Sequence, residues 1–103
     1  MDLKWLHDEL VEEIHGAITY AKVAIELKAM SDKMSKTFYE MALQESEHAR
    51  NLYNMSMDYY NKITEPYDID SIPTYLSDIR DKILECYTSK SIEIKMLLSM
   101  YKD

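Results

Sequence analysis

The chain has 103 residues, 47% apolar and 30% charged, which is room for one domain around one core and not for a second module. One Gly and two Pro are too few turn-forming residues for a sheet protein of this size, so the composition argues against an all-β fold. A formal charge of -7, from 12 basic and 19 acidic residues, argues against a nucleic-acid partner and fits metal cations or basic partners better.

Cys86 is the only cysteine, so neither an intrachain disulfide nor a CxxC metal knuckle can form. A cytoplasmic, reducing compartment is the expectation. No apolar run approaches the ~20 residues that span a bilayer, and no membrane partner is expected. Met1-Asp2-Leu3-Lys4 lacks the basic start and long apolar stretch of a signal peptide.

The first element is a helix over residues 2–30. Its seam runs through positions 6, 10, 13, 17, 20, 24 and 27, in alternating steps of four and three, which is a helical stripe. Ser31-Asp32-Lys33-Met34-Ser35 is polar and offers Ser31 and Ser35 as N-caps. A second helix is expected over 33–63, with a seam of Met34, Phe38, Met41, Glu45, His48, Leu52, Met55 and Tyr59. Two long helices joined by a few residues form an antiparallel hairpin.

Pro66 and Pro73 mark residues 64–73 as a linker. Ten extended residues reach roughly 33 Å, so the direction of the next helix stays open. The third helix is expected over 74–102. Its apolar pattern is interrupted at Thr88-Ser89-Lys90-Ser91, so the reading is one helix, with a break or kink there as the alternative. Fold class is therefore all-α, in a single domain spanning residues 1–103.

Three seam positions hold the wrong chemistry for a core: Glu13, Glu45 and His48. Ionisable groups on a buried stripe are costly unless paired or metal-bound. Glu45 and His48 are i, i+3 neighbours on one helix face. Glu13 and His48 are equidistant from the turn near residue 31. The hairpin should therefore bring Glu13 within about one turn, ~5 Å, of the other two. Carboxylates with imidazole suit Fe(II), Mn(II) or Zn(II). The bland alternative is a buried polar network.

Glu12-x-x-His15 has the same spacing, but its stripe continues through Thr19 and Lys22 as a solvated face. Asp8, Glu9 and Glu12 read as a solvated helix face, with an acidic entry path for cations as the alternative. His7 reads as a surface residue and Cys86 as a small buried one. Trp5 reads as an anchor of the helix end or of a subunit contact. The eight methionines and nine tyrosines read as core filler, Tyr20 excepted.

Glu13, Tyr20 and the run Glu45-Ser46-Glu47-His48-Ala49 resemble the first half of a rubrerythrin or other ferritin-like protein, over residues 1 to about 60. The resemblance implies Glu13 and His48 as terminal ligands, Glu45 as a bridging ligand and Tyr20 as a nearby redox-protective phenol. A full site needs a second Glu and a second Glu-x-x-His. Residues 64–103 contain no histidine, and Glu85 and Glu93 lack the partner spacing. A homodimer supplies the missing half on a twofold axis, so that the four-helix bundle is completed by dimerisation.

That arrangement is similar to the encapsulated ferritins, which build a di-iron site between two subunits. It implies ferroxidase or iron-handling chemistry, an even-numbered homo-oligomer and a nanocompartment shell as partner. Leu98-Ser99-Met100-Tyr101-Lys102-Asp103 does not resemble the shell-docking peptide of that group. A rubrerythrin-type peroxidase would need a four-cysteine electron-donor centre, which one cysteine cannot build. A non-catalytic helical assembly protein that keeps the fold is the alternative reading.

Overall fold

The structure, a computed structural model, describes residues 1–103 and contains three α-helices and no strand. The all-α fold is as the sequence pattern indicates. Helix α1 spans Leu3–Leu27, α2 Asp32–Thr64 and α3 Thr74–Lys102, with a 3-10 turn at Ile69–Ser71 in the linker. Asp2 caps α1 by accepting from the Trp5 N–H at 2.9 Å. Ser31 caps α2 by accepting from Met34 N–H at 3.2 Å. Ser35, the other candidate cap, lies inside α2 instead. It is buried and donates its hydroxyl to the Ala24 carbonyl of α1 at 2.6 Å.

That bond fixes the hairpin register. From Ala24 and Ser35, steps of seven in opposite directions place Ala17 beside Ala42, Leu10 beside Ala49 and Leu3 beside Ser56. All of these are buried. Small residues dominate the α2 side of this contact, so the two helices approach closely. The buried hydroxyls do not stay orphaned, because Ser56 and Thr64 donate to the Leu52 and Tyr60 carbonyls of their own helix.

This register corrects the expected α2 seam. The buried positions of α2 are Ser35, Ala42, Ala49, Ser56, Tyr60 and Thr64, and the first five lie one residue beyond positions of the expected seam. Met34 and Met55 are half exposed, while Phe38, Met41, Leu52 and Tyr59 are only partly buried. The physical reason is size: alanine and serine sit where helix meets helix, and the larger apolar residues flank that line.

Helix α3 packs back on its own hairpin. Tyr87 stacks on Tyr53 at 4.3 Å, Tyr101 stacks on Tyr39 at 4.2 Å, and Arg80 lies over the Tyr60 ring. These pairs run in opposite directions along the two helices, so α3 is antiparallel to α2. Its C-terminal end meets that of α1, where Lys28 donates to the Tyr101 carbonyl and lies over its ring. The linker therefore turns the chain back and does not traverse the molecule.

Ile83 and Ile94 enter the common core with Leu3, Leu6, Leu10 and Ile14. The helix continues unbroken through residues 88–91, as one helix and without the alternative break. Ser89 and Ser91 return their hydroxyls to carbonyls of the preceding turn, which lets polar side chains sit in a continuous helix. No helix is long and apolar enough to cross a membrane.

The Cα envelope measures 56 × 21 × 15 Å. The three helices form an elongated bundle in which each packs against the other two, the α1–α2 contact being the most extensive. Tyr39 and Tyr53 mark the side of α2 that faces α3. Glu45 and His48 lie on the other side of that helix.

The close approach is testable. Ala42→Leu inserts a large side chain at a fully buried position and should cost about 1–3 kcal/mol. In a domain of this size each kcal/mol lowers the melting temperature by roughly 4–8 °C. Leu43→Ala, one residue along and 42% exposed, should change stability by less than about 0.5 kcal/mol. Equal melting of the two variants would contradict the small-residue contact.

Candidate metal centre

On the face of the hairpin away from α3, α1 and α2 bring Glu13, Glu45 and His48 together. One ligand atom from each lies within 4.8 Å of the others, and this is the only such grouping of three or more acidic, histidine or cysteine side chains. The hairpin register explains it. Glu13 lies just off the buried line of α1, and Glu45 and His48 lie one turn apart on the matching edge of α2. Glu13 and Glu45 are half-buried, whereas the His48 side chain is 57% exposed.

Two features set the electrostatics of the trio. Glu13 Oε2 is buried and has no hydrogen-bond partner. The nearest cationic candidate, His48 Nδ1, is 3.6 Å away, beyond hydrogen-bonding distance. The Glu45 carboxyl is also pushed up to about 7 from an ordinary 4.5, first by its contact with the Glu13 carboxylate, then by burial and by the Glu13 charge, with His48 opposing. Two ionised carboxylates are both acceptors and cannot bond each other. A proton on Glu45 turns their contact into a hydrogen bond. A divalent cation would satisfy the same lone pairs and replace that proton.

The chain's single glycine adjoins the site. Gly16 sits in the interior of α1, where glycine costs about 0.5–1 kcal/mol relative to alanine. A Cβ built there would meet Glu45 Oε2 at 3.2 Å. No feature of the ligand spacing singles this residue out. The signal available in the sequence was a lone glycine inside a long helical pattern, one turn from Glu13.

The other candidates fall elsewhere. Tyr20 is two helical turns from Glu13, about 10 Å along the axis, and its ring packs against Phe38 at 5.9 Å. Glu12 and His15 are both exposed. Asp8 is engaged by Lys4 at 2.9 Å and His7 at 3.2 Å on the exposed surface. Glu47, between two ligand candidates in sequence, pairs outward with Arg50 at 2.7 Å. Trp5 is 48% exposed, and Cys86 is half-buried with its thiol pushed up by burial. Helix α3 contributes nothing to the grouping.

A family profile described as Rubrerythrin matches residues 4–102, nearly the whole chain. No curated protein and no solved structure matches it.

The raised Glu45 value fixes the sign of a pH effect. Below 4.5 the folded and unfolded chains both hold this proton, and the stabilisation it confers is fully present. As pH rises towards about 7 the unfolded chain loses the proton first, so this stabilisation declines and is gone above that value. The melting temperature of metal-free protein should therefore fall across that window, and Glu45→Gln should flatten the slope. Identical slopes in both proteins would place the proton elsewhere.

Proposed function

The chain belongs to the rubrerythrin family of the ferritin-like superfamily, and from that premise we propose that it is an iron-handling protein with ferroxidase activity. Rubrerythrin-family domains generally bind iron, and the grouping of Glu13, Glu45 and His48 has the donor types for it. Manganese and zinc suit the same donors. The observation that carries the reading is the buried, partnerless Glu13 Oε2 facing a second carboxylate and an imidazole. An oxygen without a donor in such company is satisfied by a cation.

One chain offers two carboxylates and one imidazole, which is few ligands for a pair of metal ions. The proposal therefore includes a homodimer. Two copies related by a twofold axis and meeting on this face would bring together two Glu13, two Glu45 and two His48. The frame of the site supports such a contact. Met34, Phe38, Met41, Leu52, Met55 and Tyr59 form a partly exposed apolar border along α2, on the face that α3 leaves open.

In the proposed reaction the substrate is Fe(II). Two ions each give one electron, and one O2 takes both with two protons to leave as hydrogen peroxide. Glu13 and Glu45 neutralise the charge of the ions, and His48 supplies a neutral donor at the exposed edge through which they enter. Tyr20, two turns along α1, is the nearby phenol that intercepts stray oxidising equivalents.

A second reading, a non-catalytic helical assembly protein, is favoured by one observation. A proton held between Glu13 and Glu45 can satisfy the pair with no metal present.

Two measurements separate the readings. Anaerobic Fe(II) loading followed by air should give a ferric absorption rise in an even-numbered oligomer, and Glu45→Ala should abolish it. Divalent metal at about 100-fold above its dissociation constant should stabilise the wild type by about 2.7 kcal/mol. His48→Ala should lose most of that gain. A wild type that melts identically with and without Fe(II) or Zn(II) leaves only the assembly role.

A further inference from the structure

We propose that Gly16 is a positioning residue for Glu45: its missing side chain is a notch in α1 that seats the Glu45 carboxylate and sets how tightly the site holds a divalent cation. The inference rests on the metal-binding reading above. It adds a residue that supplies no ligand atom.

Nothing in the backbone calls for glycine at this position. Gly16 lies in the interior of α1, far from either cap, and no residue of the chain has a positive φ. The usual remaining reason for a helical glycine is close approach of another backbone. That reason fails here as well. The three heavy atoms nearest to a Cβ built on Gly16 all belong to the Glu45 side chain: Oε2 at 3.2 Å, and Cδ and Cγ at 3.4 Å. The space left by the missing side chain is filled by the end of one carboxylate and by nothing else within that range.

The position fits the site. Gly16 is three residues beyond Glu13 and shares its edge of the helix. The carboxylate that fills the notch is also the one whose ligand atom groups with those of Glu13 and His48. A methyl at Gly16 would be too close to Oε2 for an undisturbed contact, so the carboxylate would move by a few tenths of an ångström. Metal–ligand distances hold to within about 0.2 Å, so a shift of that size weakens coordination while leaving the fold intact. The helix itself would gain from the change, because alanine is the better helix former. The notch thus makes two quantities move in opposite directions. A merely structural glycine would not.

The experiment titrates Co(II) into wild type, Gly16→Ala, Thr19→Ala and His48→Ala, reading the visible absorption bands. Helical circular dichroism confirms that each protein is folded at the titration temperature, so affinity reports the site. Metal-free melting is recorded alongside. Thr19 is exposed on the same helix, and Thr19→Ala raises helix propensity without approaching Glu45.

Gly16→Ala is expected to bind Co(II) about 10- to 100-fold more weakly, with shifted bands, while its metal-free melting temperature equals or exceeds that of wild type. Thr19→Ala should bind as wild type does, and His48→Ala should lose the bands. Wild-type affinity and spectrum in Gly16→Ala would overturn the notch, whatever its melting temperature. Absence of Co(II) bands in the wild type itself would overturn the metal reading, and the notch with it.

Discussion

The rest of this structure depends on how closely α1 and α2 approach. Ala17, Ala21 and Ala24 on one helix and Ser35, Ala42, Ala49 and Ser56 on the other form a narrow, fully buried line, locked in register by the Ser35 hydroxyl on the Ala24 carbonyl. A line of small residues leaves little side-chain volume between the helices, so groups just outside it are forced together. Glu13 and Glu45 are two such groups. With leucines along the contact the same carboxylates would stand farther apart and stay solvated. Here one oxygen of Glu13 is buried with no donor from the rest of the chain, and contact with the Glu13 carboxylate pushes the Glu45 carboxyl up to about 7.

The same geometry explains why the chain looks incomplete. Leu3, Leu6, Leu10 and Ile14 of α1 are covered by α3 from one side, through Ile83, Ile94 and the stacked tyrosine pairs between α2 and α3. The hairpin is left with one face covered by α3 and one face open. The open face carries the ionisable trio and its border of methionines and aromatics. Apolar surface around a desolvated charge cluster stabilises nothing in a monomer. Under the second copy proposed above it would exclude water and strengthen every electrostatic contact inside.

The sequence made the helices and the ligand trio legible for different reasons. Helices announce themselves through period, and the α1 stripe of Leu6, Leu10, Ala17 and Ala24 is buried as its spacing indicates. The trio was legible because Glu and His are the wrong residues for an apolar stripe. What the pattern concealed was the phase of α2. Large apolar residues carry the visible period, but the contact uses the alanines and serines one position along, which weigh little in any hydrophobic pattern. The polar run at residues 88–91 interrupts the apolar pattern without breaking α3, because serine hydroxyls bonded to the preceding turn fit a continuous helix. The direction of α3 depended on pairs such as Tyr53 with Tyr87, which no local pattern contains.

On the proposed metal reading, a proton and a divalent cation would compete for one place between Glu13 and Glu45. Two carboxylates brought together by the backbone repel unless something positive lies between them. The proton on Glu45 is the weaker solution, because it satisfies the pair while leaving the His48 imidazole without a role and exposed at the rim. A cation uses all three side chains and releases the proton. Lowering the pH thus protects the empty site and opposes its filling. Raising it strips the empty site of its internal hydrogen bond and makes metal the only remaining source of charge balance. On that reading the metal-free site would be least stable under the conditions in which it would bind best, and metal binding would be coupled to the integrity of the hairpin that forms it.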